Sequence, residues 1–262
     1  MDPAGITLRP GLRRLITATA FLWVASCSTP HPVRPQTSAL TLGRKFIFQR
    51  IQEDLAQNWS LYQLVPSRTH ILVYAYRGGV LAPFGHNHVI EVTHEQGLWL
   101  TDGEKGQGWL CFPLDAMRVD VPALRRESGP GFRSPITSVE TRATRRHMLQ
   151  SLDTQRYPDV VLSVTNARLK GASWILRIRL HGVIQTFPKP VRYEPSPRSV
   201  HARVRLTLMQ SRFRIHPYSI LAGALRVRDA LRLSGQVDAK RVLDRKMTDA
   251  NFLAHWCTGR ST

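Results

Sequence analysis

Apolar and polar residues follow two different periods along this chain, and the change from one to the other divides it. Between Arg44 and Leu64, Ile47, Ile51, Leu55, Trp59 and Tyr62 recur at spacings of four, four, four and three, which is the period of one helical face. This predicts an amphipathic helix over 44–67, set to pack against the domain rather than lie on a membrane. From residue 68 the period is two. THILVYAYRGG, HVIEVTHEQGLWLTD and GWLCFPL alternate and then meet turn residues, the pattern of an antiparallel meander. SVETRATRRHMLQSL (138–152) interrupts it with a helical pattern, with Ser138 as its cap and Met148, Leu149 and Leu152 as its apolar face. Strand patterns return in DVVLSVTNAR, SWILRIRLHG, PVRYEP and VHARVRLTLMQ, and end in LRVRDALRLSGQVDAK.

Several strands are apolar on one side only. In WILRIRL, Trp174, Leu176 and Ile178 share a face and Arg177 and Arg179 point the other way. Eight to ten such strands must bury their apolar face, and a meander does so by closing on itself or folding into a sandwich. The expected fold is therefore mainly β: an antiparallel barrel of eight or slightly more strands, with a helical insertion and an N-terminal helix. The interior of an eight-stranded barrel is either filled or holds one small apolar ligand. Arginines outside and apolar residues inside suit the second case.

The 262 residues suit one large domain or two small ones, and 42% hydrophobic residues are enough for a real core. Residues 1–26 read as a targeting segment, with Arg9, Arg13 and Arg14 before the short apolar run LITATAFLWV. Val24-Ala25-Ser26-Cys27 resembles a bacterial lipobox, which makes Cys27 the expected lipid anchor of a periplasmic protein held on a bacterial membrane, the outer one favoured by Ser28. The Pro/Ser/Thr-rich stretch 27–43 is the expected tether, 68–240 the β-domain, and 241–262 a partly helical tail. The net charge of +19 points to an anionic partner. In an exported, lipid-anchored chain that partner is a lipid head group rather than nucleic acid. An oxidising compartment permits a bridge between Cys111 and Cys257, although their separation gives little support for one.

Four blocks resemble a known family. GGVLAPFGHNHVIEV is similar to its early Gly-His segment, and TRRHMLQSLDTQRYPDVVLSVTNAR to its central helix–turn–strand block. LHGVIQTFPKPVRYE is similar to its His-Gly turn, and QSRFRIHPYSILAGALRVRDALRLSGQVDAK to its closing segment. In this order, from Thr69 to Lys240, they resemble the YceI-like family of extracytoplasmic proteins. That resemblance implies a lipocalin-like barrel and, for some members, a polyisoprenoid lipid inside it. Isoprenoid lipid or quinone is then the expected bound molecule, with no other cofactor. Face assignment offers Phe84, Trp99, Leu110, Phe112, Met148, Leu149, Leu162, Trp174, Leu176, Ile178, Phe213 and Ile215 as lumen residues.

His86 and His88 in GHNH leave one face if that stretch is extended. Three readings stand: a capping role, a contact to a ligand head group at the barrel mouth, and a metal site completed by His181, which would make this a metal-dependent envelope enzyme. The capping reading comes first, and with it an expectation of no catalysis. The sequence contains no G-x-S-x-G elbow, phosphate-binding glycine loop or His-Glu-x-x-His helix. A filled barrel acting as an interaction scaffold is the remaining alternative.

Overall fold

The computed structural model describes residues 37–170 and 174–243, with side chains from Phe46 onward in the first helix. The expected signal segment, Cys27, the tether as far as residue 36 and the tail beyond Leu243 lie outside the described residues. Among the described residues three α-helices, α1 (Thr37–Ala56), α2 (Pro122–Glu127) and α3 (Ser138–Ser151), accompany fifteen strands. The strands are β1 (Ser60–Leu64), β2 (His70–Ala75), β3 (Arg77–Gly78), β4 (His88–Glu91), β5 (Gln96–Thr101), β6 (Lys105–Pro113), β7 (Arg118–Val119) and β8 (Asp159–Arg168), followed by β9 (Trp174–Leu180), β10 (Val183–Lys189), β11 (Val191–Pro195), β12 (Ser199–Met209), β13 (Ser219–Ile220), β14 (Leu225–Val227) and β15 (Ala230–Arg241).

The first helix corrects the helix expected over 44–67 at both ends. It starts at Thr37, so residues 37–43 are helical rather than tether, and it stops at Ala56. Asn58 takes the left-handed conformation (φ 63°), while Asn58 N–H donates to Leu55 O and Trp59 N–H to Asp54 O. This is a Schellman stop, for which a short polar side chain is suited. Trp59 and Tyr62 continue the spacing but not the helix, since Tyr62 lies in β1 opposite Trp99 of β5. Ile47, Ile51 and Leu55 pack on Leu61, Leu98, Leu100, Trp109 and Cys111, on the sheet face that α1 covers. Cys111 is 1% exposed and disulfide-bonded; Cys27 and Cys257 are outside the described residues.

Twelve strands form one antiparallel sheet. Its hub is β15, whose one edge pairs with β12 from Ala230 opposite Met209 to Lys240 opposite Ser199. The other edge is shared by β2, opposite Arg232–Gln236, and β1, opposite Ala239–Arg241. From β1 the ladder runs through β5, β6, β8 and β9 to β10, and from β2 through β4 to β7. The hydrogen-bonded ladders do not by themselves close the expected barrel of eight or slightly more strands: the path runs open from β10 to β7, with β11 and β12 attached through β15. Pairing changes from β9 to β12 at Pro190, between β10 and β11, and proline supplies no N–H to carry a ladder across the bend. A separate three-stranded sheet, β13–β14–β3, was not expected from the sequence. Its strands are too short to show a period.

The cap of α3 is Thr137, one residue before the expected Ser138. The Thr137 hydroxyl accepts from Glu140 N–H at 3.2 Å and the Glu140 carboxylate accepts from Thr137 N–H at 2.7 Å, the reciprocal capping box. Among the described residues no helix is long and apolar enough to cross a membrane.

Candidate functional site

Alternation sends one set of side chains from the strands of the large sheet, β7 and β10 excepted, to the side opposite α1, where they enclose a cavity of about 630 Å³. That volume falls within the ordinary range for small-molecule sites, ~300–1,000 Å³. Eleven of the residues expected at a site line it: Phe84, His86, His88, Trp99, Leu110, Phe112, Met148, Leu162, Trp174, Leu176 and Ile178. Phe213 and Ile215 do not. They are 0% and 2% exposed in the apolar core, because the turn Gln210–Phe213 and the left-handed Arg214 (φ 60°) carry them off the strand period. Leu149 is also absent from the lining, because the face of α3 turned to the cavity is that of Glu140, Thr144, His147, Met148 and Ser151, and position 149 lies off that face.

The lining that sequence reasoning missed comes mainly from β2, β12 and β15: Ile71, Val73, Val204, Leu206, Leu208, Leu231, Leu233 and Val237. Their alternation was visible, but only the pairing of β15 with both β12 and β2 puts them on the same wall.

One end of the cavity is aromatic. Trp99 and Trp174 stack with centroids 4.9 Å apart and planes 8° apart, and Tyr193 lies 5.7 and 5.3 Å from them. Their polar atoms are satisfied within the protein, since Trp99 Nε1 donates to Tyr193 Oη at 3.2 Å and Trp174 Nε1 to Arg168 O at 3.2 Å. Burial, working against the hydrogen bond from Trp99, pushes the Tyr193 phenol up to about 12. All three rings therefore present neutral, apolar surface. Trp99 lies across β6 because positions 106 and 108 are glycine; a Cβ would come within 2.1 Å of its ring at Gly106 and 2.7 Å at Gly108.

The other end is the mouth, where the lining becomes exposed: Phe84 (79%), Ile220 (41%) and Tyr218 (37%). Phe84 is thus a rim residue rather than a lumen residue. His147 of α3 stacks on Tyr218 with centroids 4.2 Å apart. His86 sits here too, its Nδ1 hydrogen-bonded to Ser134 Oγ at 3.1 Å and its Nε2 4.0 Å from Glu140 Oε1.

His88 has a different partner. Its Nδ1 donates to Asp120 Oδ2 at 2.6 Å, while Arg125 donates to Asp120 Oδ1 at 2.7 Å and Val89 N–H to the same oxygen at 3.2 Å. Arg125 also donates to Asn87 O and Ser134 O, tying the GHNH segment to α2 and to the loop before α3. Burial acts to raise the Asp120 carboxyl, but the bonds and charges of His88 and Arg125 outweigh it and hold it below the usual range. His181 lies apart from both: in the β9–β10 turn at φ 52°, it donates from Nδ1 to Phe213 O and packs on Tyr157. The metal triad expected as an alternative is not assembled. Among the described residues no three His, Cys, Asp or Glu side chains could hold a metal ion together.

No family model matches the chain, and no curated protein does. Solved structures do. A polyisoprenoid binding domain from Saccharophagus degradans, implicated in plant cell wall breakdown, superposes with a TM-score of 0.50 at 11% identity, over 69% of this chain and 98% of that one. BcnA of Burkholderia cenocepacia is similar at a TM-score of 0.47 and 9% identity, over 67% of this chain and 98% of that one. A Campylobacter jejuni YceI protein gives 0.40 and 9%, over 58% and 83%. The likeness to the first is one of fold.

Proposed function

We propose that this protein binds an isoprenoid lipid, of polyprenyl or quinone type, in the cavity and sequesters or carries it without catalysis. The observation that carries the reading is the lining. From the Trp99–Trp174–Tyr193 end to the mouth the wall is aliphatic and aromatic, and ionisable side chains are concentrated at the mouth. A long hydrocarbon chain gains about 25 cal/mol for each Å² it withdraws from water, and such a wall offers that gain without leaving a buried polar atom unpaired. The neighbour of the same fold is itself a polyisoprenoid binding domain. We read the wrapped sheet as a lipocalin-like barrel of β1, β5, β6, β8, β9, bent β10–β11, β12 and β15; the two-sided pairing of β15 supports this. His86 and His88 serve as architecture at the mouth. The chain's expected place is the bacterial periplasm, anchored through an acylated Cys27 on the outer membrane, and the mass of the mature N-terminal peptide tests that anchor.

The test of function is mass spectrometry on the organic extract of the full chain purified from a bacterial host, with metal analysis of the same sample. Stoichiometric isoprenoid without metal is the expected result. A chain with neither lipid nor uptake of a fluorescent apolar probe would be a filled scaffold. Stoichiometric zinc or copper, lost in His86→Ala, would make it a metal protein.

A further inference from the structure

Around the cavity mouth the surface is apolar where a soluble face would be polar. Val80 is 85% exposed and Phe84 79%, on the segment after β3; Leu221 is 67% exposed between β13 and β14, with Ile220 in β13 and Tyr218 just before it. The two segments form one ledge. Gly78 pairs with Arg226, Ile220 pairs with Leu225, and Leu81 N–H donates to Ala224 O at 2.8 Å. Leu221 and Ala222 are both left-handed, at φ 51° and 52°, a conformation non-glycine residues rarely hold without support. The support here turns leucine out toward solvent.

Behind the apolar tips stand cations. Arg226 and Arg228 are exposed on and beside β14, and Arg77, on the paired strand, is fixed by donating to Pro83 O and Gly85 O. The carboxylate at the mouth, Glu140, is committed to the α3 cap. Apolar tips with guanidinium groups set behind them match the boundary between acyl chains and anionic head groups.

We infer that this rim docks on the surface of an anionic phospholipid bilayer, so that the cavity mouth opens at the depth where an isoprenoid chain resides. The choice of a bilayer over a protein partner rests on the lipid-carrier reading above. The contact is separate from the expected Cys27 anchor, which would hold the protein near a membrane without orienting it.

Hydrogen exchange of the full chain, with and without vesicles of phosphatidylethanolamine and phosphatidylglycerol, tests this locally. Amides of 79–85 and 218–224 are expected to slow on adding vesicles. In F84D/L221D the slowing should fall by roughly tenfold or more, as befits losing two inserted side chains. Both positions are largely exposed and aspartate tolerates a positive φ, so the variant keeps its fold. Loops that exchange equally with and without vesicles would overturn the proposal, as would equal protection on neutral phosphatidylcholine vesicles or protection only at high protein concentration without vesicles, the mark of a second copy. Probe uptake in solution is read in parallel. Protection without uptake would sink the carrier reading and keep the docking; uptake without protection would do the reverse.

Discussion

Asp120 is the residue on which the GHNH segment depends. Its side chain has no exposed surface and satisfies His88, Arg125 and Val89 N–H at once. Replacing it by alanine leaves the Arg125 guanidinium, 8% exposed, buried without a counter-charge, a change expected to cost roughly 3–5 kcal/mol; urea unfolding at neutral pH measures it. The pH dependence has a definite sign. The carboxyl lies below its ordinary value of 3.8 in the native state, so its contribution is complete above that value and is lost as pH falls through the lower native one. Wild-type stability should therefore drop more steeply below about pH 4 than that of Asp120→Asn. A pair of histidines two residues apart was legible in the sequence. Their partners were not, because Asp120 and Ser134 lie tens of residues away on elements that only the fold brings to β4.

Among elements, α1 and the β5–β6 pair show what periodicity can and cannot reveal. The stripe Ile47, Ile51, Leu55 correctly places a helix face, and that face does pack on the domain. The same spacing ran on through Trp59 and Tyr62, because a period cannot register a left-handed residue such as Asn58. Since α1 lies on the sheet face away from the cavity, Ile51→Ala is expected to lower stability by about 2–5 kcal/mol while leaving probe uptake unchanged; thermal unfolding and uptake on one sample check both. The β5–β6 pair should behave in the opposite way. Gly106→Ala puts a methyl group into the Trp99 ring, which must leave its stack on Trp174. The expected outcome is loss of the coupled-indole signal in circular dichroism, with uptake weakened several-fold. The glycines at 106 and 108 flank a register shift of β6 against β8 and also leave clearance for a ring from the neighbouring strand, a use that shows only once β5 is in register with β6.

For the whole molecule, the decisive question is whether the interior is a lumen or a core, and one-sided alternation is the same in either case. Sequence reasoning placed Trp174, Leu176 and Ile178 on the inner face, where they line the cavity. It could not tell that β15 pairs on both edges and so carries β2 and β12 into the same wall. Filling the space separates the two cases. Leu206, on β12 and 6% exposed, lines the cavity, and Leu206→Trp adds a bulky ring directed toward its centre. In a close-packed core such an enlargement forces strained rotamers and costs about 1–3 kcal/mol. Where a cavity of about 630 Å³ already exists, the ring enters open space and gains contacts, so the melting temperature should hold or rise while uptake of the apolar probe falls to background. A Leu206→Trp protein that unfolds at markedly lower temperature would mean a filled interior. One that is stable and still takes up the probe at full affinity would place the ligand elsewhere. Because filling the lumen leaves the mouth loops untouched, the same variant should still show protected rim amides on anionic vesicles, separating the act of docking from the act of carrying.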